Sequence, residues 1–122
     1  MKVDNSNYRS SFNKIHKSLV TLLGPEWVLH TPEELLVYEC DGLTLHTHPP
    51  DFVVFPNSTS DVIEIVKLAQ KYKIPFLARG AGTSLSGGTI AAAGGIILEF
   101  SRMNKIIAID QDNRLANVQP GV

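Results

Sequence analysis

The stretch "LARGAGTSLSGG" at residues 77–88 holds four of the chain's nine glycines, one arginine and no acid, directly behind the apolar run "IPF". A connection between two strands needs only two or three turn residues. A dozen small ones ask for another reason. Glycine reaches positive φ and lets a ligand approach the backbone with no Cβ in the way. Successive bare N–H groups can form an anion-binding nest. Thr83, Ser84, Ser86 and the following Thr89 add hydroxyl donors, and Arg79 adds a cation. An uncharged loop rich in donors suits a phosphate or diphosphate. Its position fits too, because open parallel sheets bind ligands beyond the carboxyl ends of their strands.

Two familiar phosphate loops fail on spacing. The dinucleotide fingerprint G-x-G-x-x-G needs glycine at position 85, where Leu85 stands. The P-loop beginning at Gly82 reaches Gly87 but has Gly88 where lysine is required. No clear helix follows, so no helix dipole is available to an anion. A tight or flexible loop with no ligand is the competing reading, and composition alone does not separate the two.

Working outward, "FVVF" (52–55) reads as a short buried strand, and "IPFLA" (74–78) as the next. Between them Ser58 and Asp61 form a capping box ahead of a helix whose Val62, Ile65, Val66, Ala69 and Tyr72 keep the 3.6 period. Strand, helix and strand make a βαβ unit. "GIILEF" (95–100) is a third strand; "KIIAID" (105–110), the turn "QDN" and "RLANV" (114–118) form a hairpin. Toward the N-terminus, Tyr8, Phe12, Ile15, Leu19 and Leu22 mark one helical face that Gly24-Pro25 ends. A second helix is expected from Pro32 to about Glu39, with Thr31 and Glu34 as its capping box. "HTHPP" (46–50) reads as an extended linker. The expected class is α+β: N-terminal helices over residues 1–50, then a small parallel βαβ subdomain and the start of an antiparallel second subdomain over 51–122.

Composition excludes several classes. The formal charge of -1 gives no basic field for nucleic acid. The single cysteine, Cys40, leaves no internal disulfide or cysteine-rich zinc site. The N-terminus lacks an apolar signal core, and "TIAAAGGIILEF" is too short to span a bilayer. A cytoplasmic protein with no transmembrane segment is expected.

The string "ARGAGTSLSGG", with "VVFP" upstream and "SRMNKI" and "VQPGV" downstream, resembles the FAD-binding domain of the vanillyl-alcohol oxidase and p-cresol methylhydroxylase superfamily. "YECDGL" (38–43) narrows the likeness to the glycolate oxidase flavin subunit and D-lactate dehydrogenases. The resemblance covers about residues 30–122 and implies a truncated form of that FAD-binding fold. It implies that the glycine loop wraps the FAD diphosphate through backbone amides, with Arg79, Gly80, Ala81, Gly82, Thr83, Ser84, Gly87 and Gly88 as contacts. Pro56 is expected near the adenine end, and Pro120, Gly121 and Val122 near the flavin. Some relatives attach FAD through a loop histidine; the matching position here is Thr83, which implies noncovalent FAD. The family continues past "PGV" into a substrate domain, so the resemblance implies an N-terminal portion supplying about half of a cofactor cradle. The activity it implies is oxidation of a 2-hydroxy acid such as glycolate or D-lactate, with the chain alone inactive. Its partners would be FAD and the remaining part of a flavin subunit or other oxidase subunits. A noncatalytic nucleotide- or anion-binding module, or a structural remnant, is the alternative.

Other side chains carry less. His46 and His48 alternate on an extended segment but lack the further ligands a metal needs, so no metal site is assigned. His16 falls on the polar side of its helix, and His30 precedes a cap. Cys40 lies between Glu39 and Asp41, acids that disfavour its thiolate. No residue is assigned a catalytic role. Arg79 admits two roles, phosphate partner or tie to a carbonyl, and Arg102 reads as structural.

Overall fold

The computed structural model describes residues 6–40, 42 and 47–122; Asp41 and His46, singled out above, lie outside them. Helices α1 (Ser6–Arg9) and α2 (Phe12–Leu23) open the chain. The single helix expected from Tyr8 is therefore broken at Ser10-Ser11, where the Ser11 amide turns back onto the Tyr8 carbonyl (2.8 Å). Beyond the break, Ile15 and Leu19 are buried, whereas Leu22 is exposed and Leu23 packs in its place. Gly24 ends α2 with φ 97° and its amide on the Val20 carbonyl. A 3₁₀ turn (Pro25–Trp27) leads to β1 (Val28–Leu29), a two-residue strand that the periodicity did not reveal. Next, α3 (Pro32–Leu35) tightens into a 3₁₀ turn (Leu36–Tyr38), closing at about the expected length. Glu34 Oε2 accepts from the amides of His30 and Thr31, as its capping role requires.

Strands β2 (Phe52–Val54), β3 (Phe76–Arg79) and β4 (Ile96–Glu99) form a sheet with β1 in the order β1-β2-β4-β3. Here β1 runs antiparallel to β2, and β4 lies parallel to both β2 and β3. Helix α4 (Thr59–Tyr72) joins β2 to β3, as expected, but the two strands are not neighbours. It crosses a slot that β4 fills later. Its start is fixed by the Asp61 backbone amide donating to Ser58 Oγ (3.2 Å) while Asp61 Oδ2 accepts from the Ser58 amide (3.1 Å).

The parallel pairing of β3 with β4 answers the question of loop length. A parallel connection must return the chain to the other end of the sheet and takes a dozen or more residues. Residues 80–95 are that return, built without a helix. Length alone is thus topological, and any binding role rests on what the loop's amides do.

Both faces of the sheet are covered, so β2 and β4 are apolar throughout rather than alternating. Phe52, Val54, Ile96 and Leu98 face α2 and α4 through Ile15, Leu19, Ile65 and Ala69. Val53 and Ile97 face the other way, onto Leu35 and Ala91. The N-terminal helix packs into the same core as the sheet. Tyr8 also donates to Asp51 Oδ2 (2.6 Å), which accepts from the Gly95 amide (2.6 Å).

The expected hairpin is present as β5 (Ile106–Asp110) and β6 (Leu115–Val118), a separate two-stranded sheet with a register irregularity between Ile106 and Ala108. Both strands are exposed along their whole length.

Candidate functional site: the glycine loop and its cavities

β3 delivers Arg79 to the carboxyl edge of the sheet, and the loop leaves from there. Arg79 is 8 % exposed. Its Nη1 donates to the carbonyls of Cys40 (2.9 Å), Thr89 (3.3 Å) and Tyr38 (3.5 Å), and its guanidinium lies over the Tyr38 ring. One side chain thus ties both the far end of the loop and the segment before the linker to the end of β3. The Gly42 amide adds a bond to the Ser84 carbonyl (3.0 Å). Of the two roles open to Arg79, the carbonyl tie is the one its Nη1 performs.

Gly82, with φ +70°, curls against that guanidinium, where any Cβ would overlap it. Thr83 is exposed, and Ser84, half-buried, meets Gly42 through its carbonyl. Among the described residues, the amides of Ala81, Gly82, Thr83, Ser84, Leu85 and Gly88 donate to no protein acceptor, while the Ser86 amide reaches Ser84 Oγ (3.4 Å). The buried Thr89 hydroxyl also has no partner. Ala81, Thr83, Leu85 and Gly88 are exposed, so these amides open to solvent, and a run of them around a positive-φ glycine suits an acceptor-rich, anionic group such as a diphosphate.

Two cavities sharing a wall adjoin the loop. One, of about 210 Å³, is lined by Gly80, Ala81, Glu99, Ser101, Pro120, Gly121 and Val122. The other, of about 380 Å³, involves Arg79, Gly80, Ala81, Glu99 and Ser101 together with Tyr38 and Phe55. The fold so brings together the start of the glycine loop and the "PGV" segment, forty residues apart in the chain. Gly121 reaches this position by donating to the Met103 carbonyl (2.8 Å) and pressing so closely on the Phe100 carbonyl that no Cβ would fit. Pro56 is buried behind Phe55 and lines neither cavity, nor do Thr83, Ser84, Gly87 and Gly88, which lie farther along the loop.

Sequence reasoning missed Glu99, Ser101, Tyr38 and Phe55. A lone acid at the end of the apolar run "GIILEF" was the available signal, since a buried charge in a strand is unusual. Burial, and secondarily the negative charge of Glu99, raises the pKa of the Tyr38 phenol, with Arg79 partly offsetting. Elsewhere, His16 does not sit on a polar face as expected. Its ring is half-buried, 4.1 Å from His30 and 6.2 Å from Phe52 between centroids. Burial, reinforced by His30, lowers its pKa. Arg102 is structural, as expected: it donates to the Phe55 carbonyl (2.8 Å) and lies 3.8 Å over the Trp27 ring. Among the described residues no group of three or more His, Cys, Asp or Glu could hold a metal, and no helix is long and apolar enough to cross a membrane.

A parallel sheet whose return loop bares its amides at the carboxyl edge is an arrangement suited to an anionic ligand. Residues 50–122 match the FAD binding domain family, and the chain belongs to it, with FAD as the cofactor of the domain. The chain is similar to the glycolate oxidase subunit GlcD of Bacillus subtilis, 36 % identical over 108 residues, or 88 % of this chain and 23 % of that protein. It is 38 % identical over 73 residues to the D-lactate dehydrogenase of Anaerostipes hadrus, covering 60 % of this chain and 15 % of that one. A solved p-cresol methylhydroxylase with substrate bound superposes with a TM-score of 0.76 at 29 % identity, over 93 % of this chain and 23 % of the other. The chain therefore spans less than a quarter of the length of each of these proteins. The flavin-binding fold and the superfamily inferred from the motifs are those of these relatives.

Proposed function

We propose that this chain supplies the diphosphate-gripping part of a noncovalent FAD site in an oxidoreductase acting on a 2-hydroxy acid such as glycolate or D-lactate. The observation that carries the reading is the row of unspent amides from Ala81 to Leu85 beside a buried Arg79. In this reading Gly80, Ala81, Gly82, Thr83, Ser84, Gly87 and Gly88 hold the diphosphate. Arg79 acts mainly from behind, fixing the loop's shape, and Pro56 backs the adenine end. Pro120, Gly121 and Val122 form the wall toward the flavin. Bound FAD would supply the two-electron acceptor for a hydride equivalent leaving the hydroxy acid. This chain's share is to orient the cofactor and to present preorganised donors to its negative charge. Residues 51–122 carry the cofactor contacts, and residues 1–50 brace them.

Attachment is noncovalent because Thr83, where the resemblance places the linking histidine, offers no comparable nucleophile. The remaining part of a flavin subunit, or other oxidase subunits, would complete the site, and the chain by itself would not turn over substrate. A cytoplasmic location accords with the single cysteine.

The test is a titration of the ¹⁵N-labelled chain, followed by amide shifts, which registers even millimolar binding. FAD, ADP and inorganic pyrophosphate should each move the amides of Ala81–Leu85 and Gly88. Shifts confined to other parts of the chain would overturn the assignment. A stoichiometric flavin whose colour bleaches on adding glycolate or D-lactate would show that the chain alone is active.

A further inference from the structure

Two charged side chains are buried among the described residues, Arg79 and Glu99, the latter 7 % exposed. They are register partners on β3 and β4, yet they form no ion pair; the one ion pair among the described residues joins Lys67 to Glu64 on the surface of α4. Arg79 spends its Nη1 on carbonyls instead. Glu99 takes its donors from Ser101, whose amide reaches Oε1 (3.2 Å) and whose hydroxyl reaches Oε2 (2.5 Å). A buried carboxylate without a cation is costly unless its lone pairs are hydrogen-bonded, and it can accept about four bonds. Two are filled. Glu99 and Ser101 line both cavities beside the glycine loop.

We propose that Glu99, held in place by Ser101, is a subsite that accepts a hydrogen bond from a sugar hydroxyl adjoining the diphosphate of the bound nucleotide. This inference rests on the FAD reading above and adds a residue to it. A carboxylate only accepts, and it repels phosphate, so the group seated against it must be a hydrogen-bond donor other than phosphate, and beside the diphosphate of a nucleotide that donor is a sugar hydroxyl. The smaller cavity begins at Gly80 and Ala81, where the diphosphate loop leaves β3, and continues to Pro120–Val122. The piece of ligand entering it is the polyol next to the diphosphate. FAD carries such hydroxyls on both sides, on the ribose of its adenosine half and on the ribityl chain of its flavin half. The carboxylate also penalises any ligand that would place a further phosphate there, so the loop attracts one anionic group and Glu99 refuses a second.

The amide-shift titration tests this on the wild-type chain, Glu99→Gln and Ser101→Ala, with FAD, ADP, FMN and inorganic pyrophosphate. Glu99→Gln keeps the shape and removes the charge, and should weaken FAD about tenfold, as expected for a charge-assisted hydrogen bond. Pyrophosphate should bind as before or more tightly. Ser101→Ala alters an exposed side chain, leaves the strand intact, and should weaken FAD in the same direction by a smaller factor. Parallel loss of ADP affinity in Glu99→Gln assigns the hydroxyl to the ribose; loss for FMN with ADP unchanged assigns it to the ribityl chain. Unchanged FAD affinity in Glu99→Gln overturns the subsite and leaves the diphosphate cradle standing. Equal losses for FAD and pyrophosphate, with shifts spread along β4, reveal a purely structural carboxylate and also overturn it. A wild-type chain that responds to none of the four ligands removes the cradle itself, and the subsite with it.

Discussion

Gly82 lies directly against the guanidinium of Arg79, with no room for a Cβ between them. The pair explains how a cation sits at the root of a loop whose amides stay unspent. Arg79 points back at carbonyls, and Gly82 wraps over it with φ +70°, leaving amide hydrogens on the loop unspent. Charge works here as scaffold, and the backbone amides of the loop stay available.

Gly82→Ala should therefore damage fold and site together. It imposes a left-handed conformation on a residue with a Cβ and displaces Arg79, a combined cost of at least about 2 kcal/mol. Gly82→Val, larger and β-branched, should also abolish the response to pyrophosphate. Denaturant melts and the amide-shift titration read the two effects separately. A Gly82→Val chain that binds pyrophosphate like wild type would show that the loop does not do the gripping.

Removing the arginine tests the scaffold from the other side. Arg79→Ala leaves the Tyr38, Cys40 and Thr89 carbonyls without their shared donor. Unpaired buried groups cost about 1–3 kcal/mol each, and partial access to water reduces this, so a total loss of about 2–4 kcal/mol is expected. Hydrogen exchange should quicken at the Gly42 amide, whose acceptor is the Ser84 carbonyl. Arg79→Lys should recover only part of the loss, because an ammonium lacks the planar fork. Full protection of Gly42 in Arg79→Ala would contradict the tie.

How far the sequence reveals this arrangement depends on the range of each interaction. Local chemistry is legible: the Ser58–Asp61 box starts α4 and Gly24 stops α2, both set by neighbours within four residues. The buried strands show as apolar runs. Sheet order is hidden, because nothing within β2 or β3 announces that β4 separates them. β1 has only two residues, too few to show a period. The motifs "YECDGL", "SRMN" and "PGV" signal a family as strings, but their physical link appears only in space. Arg79 and Gly42 bind the first to the loop, and Gly121 seats the last on Phe100 and Met103. Glu99 is visible as an oddity, while its place on the cavity wall is not.

Helix α4 ends on Lys73 in the left-handed conformation, φ 53° and ψ 37°, with its amide turned to the Ala69 and Gln70 carbonyls. Glycine is the residue suited to that position. Relief of the strain, about 1–2 kcal/mol, outweighs the extra unfolded-state entropy of glycine, about 0.5–1 kcal/mol. Lys73→Gly should accordingly stabilise the chain by about 0.5–1 kcal/mol. An unchanged or lower urea midpoint would count against the assigned cap.

Stability should also fall in mild acid. His16, packed on His30 and Phe52, has its pKa lowered first by burial and then by the neighbouring imidazole. The native state therefore disfavours its proton, and the unfolded chain binds it more readily. Stability is fully present above the ordinary histidine pKa of about 6.5 and is lost as pH falls through it toward the folded value. His16→Phe keeps the ring contact and removes the titration, so its urea midpoint should drop less between about pH 7.5 and 5.5. An identical drop in both proteins would place the acid sensitivity elsewhere.

The hairpin predicts association. Ile106, Ile107, Ile109, Leu115, Val118 and Val122 are all exposed on β5, β6 and the segment that follows. A two-stranded ribbon is marginal by itself, and apolar residues exposed on both its faces favour further pairing or packing. The isolated chain should therefore show an apparent mass that rises with concentration in light scattering. Ile109→Lys with Leu115→Lys should shift it toward monomer, because facing charges oppose stacking of one hairpin on another. These positions lie outside the cavities, so the response of the Ala81–Leu85 amides to pyrophosphate should survive. A wild-type chain that stays monomeric across the whole concentration range would show that the hairpin is not adhesive.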